Sequence, residues 1–172
     1  RFDDIKSYKS LNNIGIIITF DDGYIDNYKN AYPILKNQNN SAMFFVLSKY
    51  INSNRPIWDR EICILYKYYL ENKNESEFKE IFINENLNIN QFKNIWHLIR
   101  FLKNKNIFYI EKVIKDLKNQ LQCNFYYNEE DLCMNWNQLK DLSKNNMIIG
   151  SHGVNHLSIG QLATDDANSE II

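Results

Sequence analysis

Ile14-Gly15-Ile16-Ile17-Ile18-Thr19-Phe20, closed by Asp21-Asp22-Gly23, is the stretch that sets the fold class. It is a short, continuous run of β-branched and aromatic residues, the pattern of a strand buried on both faces. Asp21-Asp22-Gly23 is a turn signal, and Gly23 lets the backbone bend sharply. From Asp26 to about Lys36 the period becomes helical, with Tyr28, Ala31, Tyr32 and Leu35 on one face. Pro33 inside that stretch marks a kink or an early end. Ala42 to Leu47 is a second buried strand. A β-loop-α-β order implies a parallel sheet, hence an α/β fold.

The next segment changes character. Apolar residues at 58, 62, 65, 66, 69 and 70 form one helical stripe. Phe92, Ile95, Trp96, Ile99 and Leu102 form a second, opened by Asn90 as N-cap. Ile110, Val113, Ile114, Leu117 and Leu121 form a third. Residues from about 52 to 130 therefore read as an all-helical insertion, whose charged and Asn-rich faces suit solvent. A lid or substrate-recognition role is the functional alternative. Helix and strand then alternate again. Asn135 caps a helix through Leu142 with Gln138 as capping-box partner. Met147 to Ile149 is a short strand, and Gly150-Ser151-His152 leaves its C-terminal end. Thr164, with Asp165 and Asp166 in the first turn, starts a last helix.

Bulk properties narrow the function. The 172 residues suit one domain with a real core. A net charge of -1 offers no electrostatic grip on nucleic acid or on an anionic membrane. No run is apolar enough to span a bilayer, and Arg1-Phe2-Asp3-Asp4 has no signal-peptide character. Cys63, Cys123 and Cys133 are odd in number and form no CxxC, so they read as buried thiols. The chain lacks an initiating Met and stops inside a helical pattern at Ser169-Glu170-Ile171-Ile172, so it reads as part of a longer protein.

The chemistry converges on two places. Asp21 and Asp22 follow one buried strand; His152 and His156 follow another. In parallel α/β folds and barrels, that C-terminal edge is where active sites assemble. Two His at i and i+4 point to one side if the segment makes a helical turn. Two imidazoles and a carboxylate suit zinc or a similar transition ion with positions left open. Adjacent side chains in extended backbone point apart, so a division of labour fits the two Asp: one on the metal, the other as general base toward water. Either motif alone is commonplace; their shared position at strand ends gives them weight. Rival motifs fail. A zincin needs Glu after the first His, where Gly153 stands. A haloacid-dehalogenase-like phosphatase needs Asp-x-Asp, and no Walker loop or dinucleotide fingerprint is present. His97, among Ile95, Trp96, Leu98 and Ile99, reads as an ordinary helix residue.

These residues resemble a known family. Thr19-Phe20-Asp21-Asp22-Gly23 resembles the first motif of the polysaccharide deacetylases, the NodB-homology domain of carbohydrate esterase family 4. Ser41-Ala42-Met43-Phe44-Phe45-Val46 is similar to that family's next strand. Ile149-Gly150-Ser151-His152 with His156 is similar to its second motif, and Trp136-Asn137-Gln138-Leu139 and Leu162 also match. The resemblance covers roughly residues 14–50 and 133–172. It implies a distorted (β/α) barrel of fewer than eight units, here partial, in a single domain over 1–172 that is incomplete at its C-terminus. It implies hydrolysis of an acetamide, or an acetate ester, on an acetylated carbohydrate. It also implies a divalent metal, zinc first among candidates, on Asp22, His152 and His156, with Asp21 as base. Family habit points to the cell envelope.

The sequence departs from the pattern in three ways. Gly153 stands where Ser or Thr is common, the segment between the motifs is long, and no later Arg-Pro or Leu-x-His motif follows. A catalytically incomplete, glycan- or partner-binding relative that keeps the metal site is therefore the alternative to an enzyme. A metal hydrolase acting on another amide is a third reading.

Overall fold

A computed structural model describes residues 16–72, 94–121 and 125–171. Three parallel strands, β1 (Thr19–Phe20), β2 (Met43–Val46) and β3 (Ile148–Ser151), lie side by side in the order β1-β2-β3. Phe20 pairs with Phe44, and Val46 with Ser151, so β2 and β3 end level and β1 ends two residues earlier. The central strand alternates half-buried Met43 and Phe45 with buried Phe44 and Val46. Phe44 is fully buried and stacks on Phe20 at 4.9 Å.

The sheet is open; among the described residues it does not close into a barrel. β1 also corrects the expectation of a strand buried on both faces over Ile14–Phe20. Only Thr19–Phe20 pairs as strand, and Ile16 and Ile17 are 85% and 57% exposed. An apolar run is buried only where neighbours cover it. β1 has β2 on one side, and the ladder reaches back no further than Ile18, whose carbonyl accepts from Met43 N–H. Ile14 and Gly15 lie outside the described residues.

The β1-to-β2 crossover contains the irregularity expected at Pro33, one turn earlier. Asn27–Ala31 forms a π turn, with Tyr32 N–H donating to Asn27 C=O, and α1 (Tyr32–Asn37) follows. Pro33 has no N–H to continue an α ladder, and widening the preceding turn accommodates it. Tyr32 and Leu35 are buried in the core beneath the sheet. α5 (Trp136–Lys144) joins the same core through Leu139 and Leu142. Its start is the expected capping box: Asn135 accepts from Asn137 N–H and Gln138 N–H, and the Gln138 side chain accepts from Asn135 N–H.

A second core lies among α2 (Trp58–Asn72), α3 (Ile95–Leu102) and α4 (Ile107–Leu121). All five apolar residues foreseen on α4 are buried. The stripe on α2 is narrower than expected: Trp58, Ile62, Leu65 and Tyr69 are fully buried, but Leu70 is 51% exposed. α3 requires two corrections. Its N-cap is Asn94, which accepts from His97 N–H; Asn90 and Phe92 lie outside the described residues. Trp96 is 67% exposed, because Leu98, Ile99 and Leu102 form the buried face and Trp96 falls on its flank. His97 is an exposed residue of this helix.

Leu47, Tyr50 and Cys133 belong to this second core. The helices therefore pack directly on the segment leaving the C-terminal end of β2, beside the edge where Asp22 and His152 emerge. Glu61 on α2 is fully buried, salt-bridged to Arg55 (2.5 Å) and Lys118, and it accepts from the Tyr127 hydroxyl. Cys133 is buried and Cys63 half-buried, both free, while Cys123 lies outside the described residues. α6 (Thr164–Ile171) opens with Asp165 and Asp166 in its first turn, as expected. Among the described residues no helix is long and apolar enough to cross a membrane.

Candidate metal centre

Asp22 sits at the middle of a tight turn. Gly23 N–H donates to Asp21 C=O at 2.8 Å, and Asp22 has φ +69°. A three-residue turn with positive φ at its centre is the rarer, strained γ-turn, and Asp tolerates that region better than most residues. Gly23 follows at φ +77°, packed so closely that a Cβ would stand 2.8 Å from Val46 Cγ1. The 132–134 segment ties the turn down. Ile25 N–H donates to Leu132 C=O, Met134 N–H to Gly23 C=O, and the Cys133 thiol approaches Asp22 C=O at 3.7 Å.

His152 continues β3. Its N–H donates to Val46 C=O at 2.8 Å, extending the ladder one step past Ser151. His156 is reached through a loop, where a helical turn was the condition foreseen for the pair to converge. Gly153 (φ +95°) and His156 (φ +62°) bend the chain back on itself. Two contacts stabilise the bend. Ser48 N–H donates to Gly153 C=O, and Glu170 of α6, 2% exposed, accepts from Asn155 N–H (2.8 Å) and Nδ2 (2.6 Å). A Cβ at position 153 would meet Glu170 at 3.3 Å, which with the positive φ explains Gly where the resembling family commonly has Ser or Thr.

The loops deliver three ligand atoms to one point. His152 Nε2 lies 3.3 Å and His156 Nε2 3.4 Å from the same oxygen, Asp22 Oδ1. The trio is half-buried, and its ligand atoms all lie within 4.8 Å of one another. Donors about 2.1 Å from a tetrahedral ion stand about 3.4 Å apart, so these two separations fit such an ion. Two imidazole nitrogens and a carboxylate oxygen form a donor set for a divalent transition metal. The trio Asp22, His152 and His156 can thus coordinate a divalent ion, as the sequence motifs implied. Asp21 lies outside the trio, exposed, with its carbonyl also accepting from Asn27 Nδ2 at 3.4 Å.

Asp59, in the first turn of α2, was not foreseen. Its Oδ2 stands 3.0 Å from His156 Nδ1 and 3.8 Å from Lys103 Nζ, and its Oδ1 accepts from Arg60 N–H at 2.8 Å. Burial works to raise the Asp59 pKa, but His156, Lys103 and the Arg60 N–H outweigh it and hold the carboxyl below its ordinary range. Around the trio the negative charge of Asp22 and Asp59 is felt by its neighbours. Burial first, then Asp22 and Asp59, push the Cys133 thiol up to about 12, and Cys133 stands outside the metal-capable trio. Burial, then Asp59 and Asp22, likewise raise the Tyr24 phenol. Glu170 and Asn155 also escaped the sequence reading, since nothing in their local pattern separates them from solvent-facing helix and loop residues.

The comparisons agree with this geometry. The family described as Polysaccharide deacetylase matches residues 9–86, a span holding the Asp21-Asp22-Gly23 turn, β2 and all of α2. His152 and His156 lie outside that span; the fold brings them to it. The chain is also similar to "Putative polysaccharide deacetylase YxkH" of Bacillus subtilis (strain 168), 40% identical over 47 residues. That match covers 27% of this chain and 17% of the relative, so the chain spans well under two thirds of that relative's length. No solved structure matches the chain. The first motif thus lies inside the span that is similar to the polysaccharide deacetylases, and His152 and His156 are folded against it.

Proposed function

We propose that this chain is the metal-holding part of a carbohydrate deacetylase, which removes acetyl groups, N-acetyl first, from a sugar polymer. The observation that carries this reading is the meeting of Asp22, His152 and His156 at the C-terminal edge of parallel strands, within a chain matching that family. Zinc is the ion assigned to the trio, on its nitrogen-rich donor set and near-tetrahedral separations. The three strands and α1 are read as the first units of a distorted (β/α) barrel. The helices between about 52 and 130 are read as an insertion in a single domain.

An ion held there supplies Lewis acidity toward the acetyl carbonyl and the attacking water. The chain's own residues hold the ion and take the proton of the water. Asp22 gives its carboxylate to the ion, and the γ-turn sends the neighbouring Asp21 elsewhere. Asp21, exposed at the same strand end, is assigned as the base that takes the proton of the water. Gly23, clamped against Val46, keeps the two carboxylates in their separate roles.

Acetate release from an N-acetylglucosamine oligomer by zinc-loaded protein containing this chain tests the reading. Asp21→Asn is expected to lower the rate about 100- to 10,000-fold with zinc binding retained. Full activity in that variant refutes the base assignment. No acetate from the zinc-loaded wild type refutes the enzymatic reading.

A further inference from the structure

We propose that Asp59, supplied by helix α2, is the positioning carboxylate of the metal centre, holding His156 so that Nε2 faces the ion. The proposal rests on the reading of Asp22, His152 and His156 as metal ligands. It adds a residue from outside both motifs.

The orientation of His156 carries the inference. Its Nε2 points at Asp22 Oδ1 and its Nδ1 at Asp59 Oδ2, so the two acids stand at opposite ends of the ring. Asp59 is therefore beyond reach of the point where the trio converges, and it is not a fourth ligand. A ring that binds metal through Nε2 must carry its proton on Nδ1, and the group facing Nδ1 sets that tautomer and the ring plane. His156 Nδ1 is buried, and among the described residues no aligned hydrogen-bond acceptor meets it. Asp59 Oδ2, close but off line at 3.0 Å, is the acceptor in position to be drawn onto the N–H when the ring is pulled toward an ion.

Asp59 is itself fixed. Arg60 N–H binds its Oδ1, Lys103 at the end of α3 approaches its Oδ2, and the N-terminus of α2 favours its charge. A second contact couples the same elements: Ser158 N–H, just past His156, donates to Lys103 C=O at 3.3 Å. His156 holds a left-handed backbone that a non-Gly residue keeps only when its surroundings insist. The helical layer thus buttresses one ligand of the metal, and its function reaches further than decoration of the sheet.

The test strips the protein with a chelator and titrates it with Zn(II) against a chromophoric competitor, then with Co(II) while recording visible absorption. Wild-type binding that is lost in Asp22→Ala establishes the trio. Absence of wild-type binding overturns the metal reading and this proposal with it. Asp59→Asn and Asp59→Ala, shown folded by circular dichroism, are expected to weaken Zn(II) binding about 10- to 100-fold and to alter the Co(II) bands. Wild-type affinity and bands in both variants overturn the role of Asp59 and leave the trio standing. Should both variants fail to fold, long-range 1H–15N spectra of the zinc-loaded wild type decide. A proton on His156 Nδ1 supports the proposal, and a proton on Nε2 overturns it.

Discussion

Gly23→Ala is expected to damage stability and the metal centre together. The position has φ +77°, where an L side chain costs about 1–2 kcal/mol. The added Cβ would also stand 2.8 Å from Val46 Cγ1, 3.1 Å from its Cβ and 3.4 Å from its Cα. The first atom belongs to a buried, β-branched side chain and the last to the central strand, so neither yields freely. Overpacking of that kind costs about 1–3 kcal/mol. The sum is about 2–5 kcal/mol. With a urea dependence of about 2 kcal/mol per molar, the unfolding midpoint should drop by about 1–2.5 M. Val46→Ala separates the two contributions. It removes the 2.8 Å contact and leaves the 3.1 Å one, so Gly23→Ala in that background should cost about 1 kcal/mol less but never fall below the backbone strain. Because Gly23 N–H closes the turn that holds Asp22, zinc affinity should fall in parallel. A stability loss under about 1 kcal/mol, or complete relief by Val46→Ala, refutes the reasoning that φ and packing both demand glycine.

Glu61→Ala should destabilise the protein by about 1–3 kcal/mol in urea unfolding, because it removes the buried carboxylate shared by Lys118, the Tyr127 hydroxyl and Arg55, leaving Arg55 with Glu111; no measurable loss contradicts that account. Glu111 predicts an acid limb. Burial raises its pKa, but Arg55 and Lys49 outweigh burial and hold it below the ordinary 4.5. A depressed folded-state pKa means its contribution is complete above about 4.5 and is lost as pH falls through the lower folded value. Unfolding midpoints measured from about pH 6 to about pH 3 should therefore fall less steeply in Glu111→Gln than in wild type, and identical slopes contradict the pairing.

How much was legible follows from what each residue touches. Asn135, Gln138 and the α4 stripe read correctly because a capping box and an amphipathic face are local patterns. Ile16, Ile17 and Trp96 misread because burial depends on neighbours that composition does not name: among the described residues β1 has a strand partner on one side, and Trp96 lies beside the buried arc. The metal trio was legible because each half lies beside a strand end, and parallel strands bring their C-terminal ends to one edge. The way His156 reaches it was not, since a helical turn and a left-handed loop both satisfy i, i+4 spacing. Gly153 distinguishes them, and in the sequence it stood only as a departure from a family habit.

Asp59 marks where sequence reading stops for a physical reason. A ligand declares itself by residue type and position, but the residue that orients a ligand needs only a carboxylate at the far end of a ring, and any element packed there can supply it. Here the supplier is the first turn of α2, brought over the sheet edge because Leu47, Tyr50 and Cys133 share one core with Trp58 and Ile62. The apolar stripe of α2 therefore has two effects. It buries the helix, and by fixing the rotation of its first turn it decides which way Asp59 points. A change such as Ile62→Ala, remote from any ligand, would be felt at His156 through that rotation, which makes the packing of the helical layer part of the metal site.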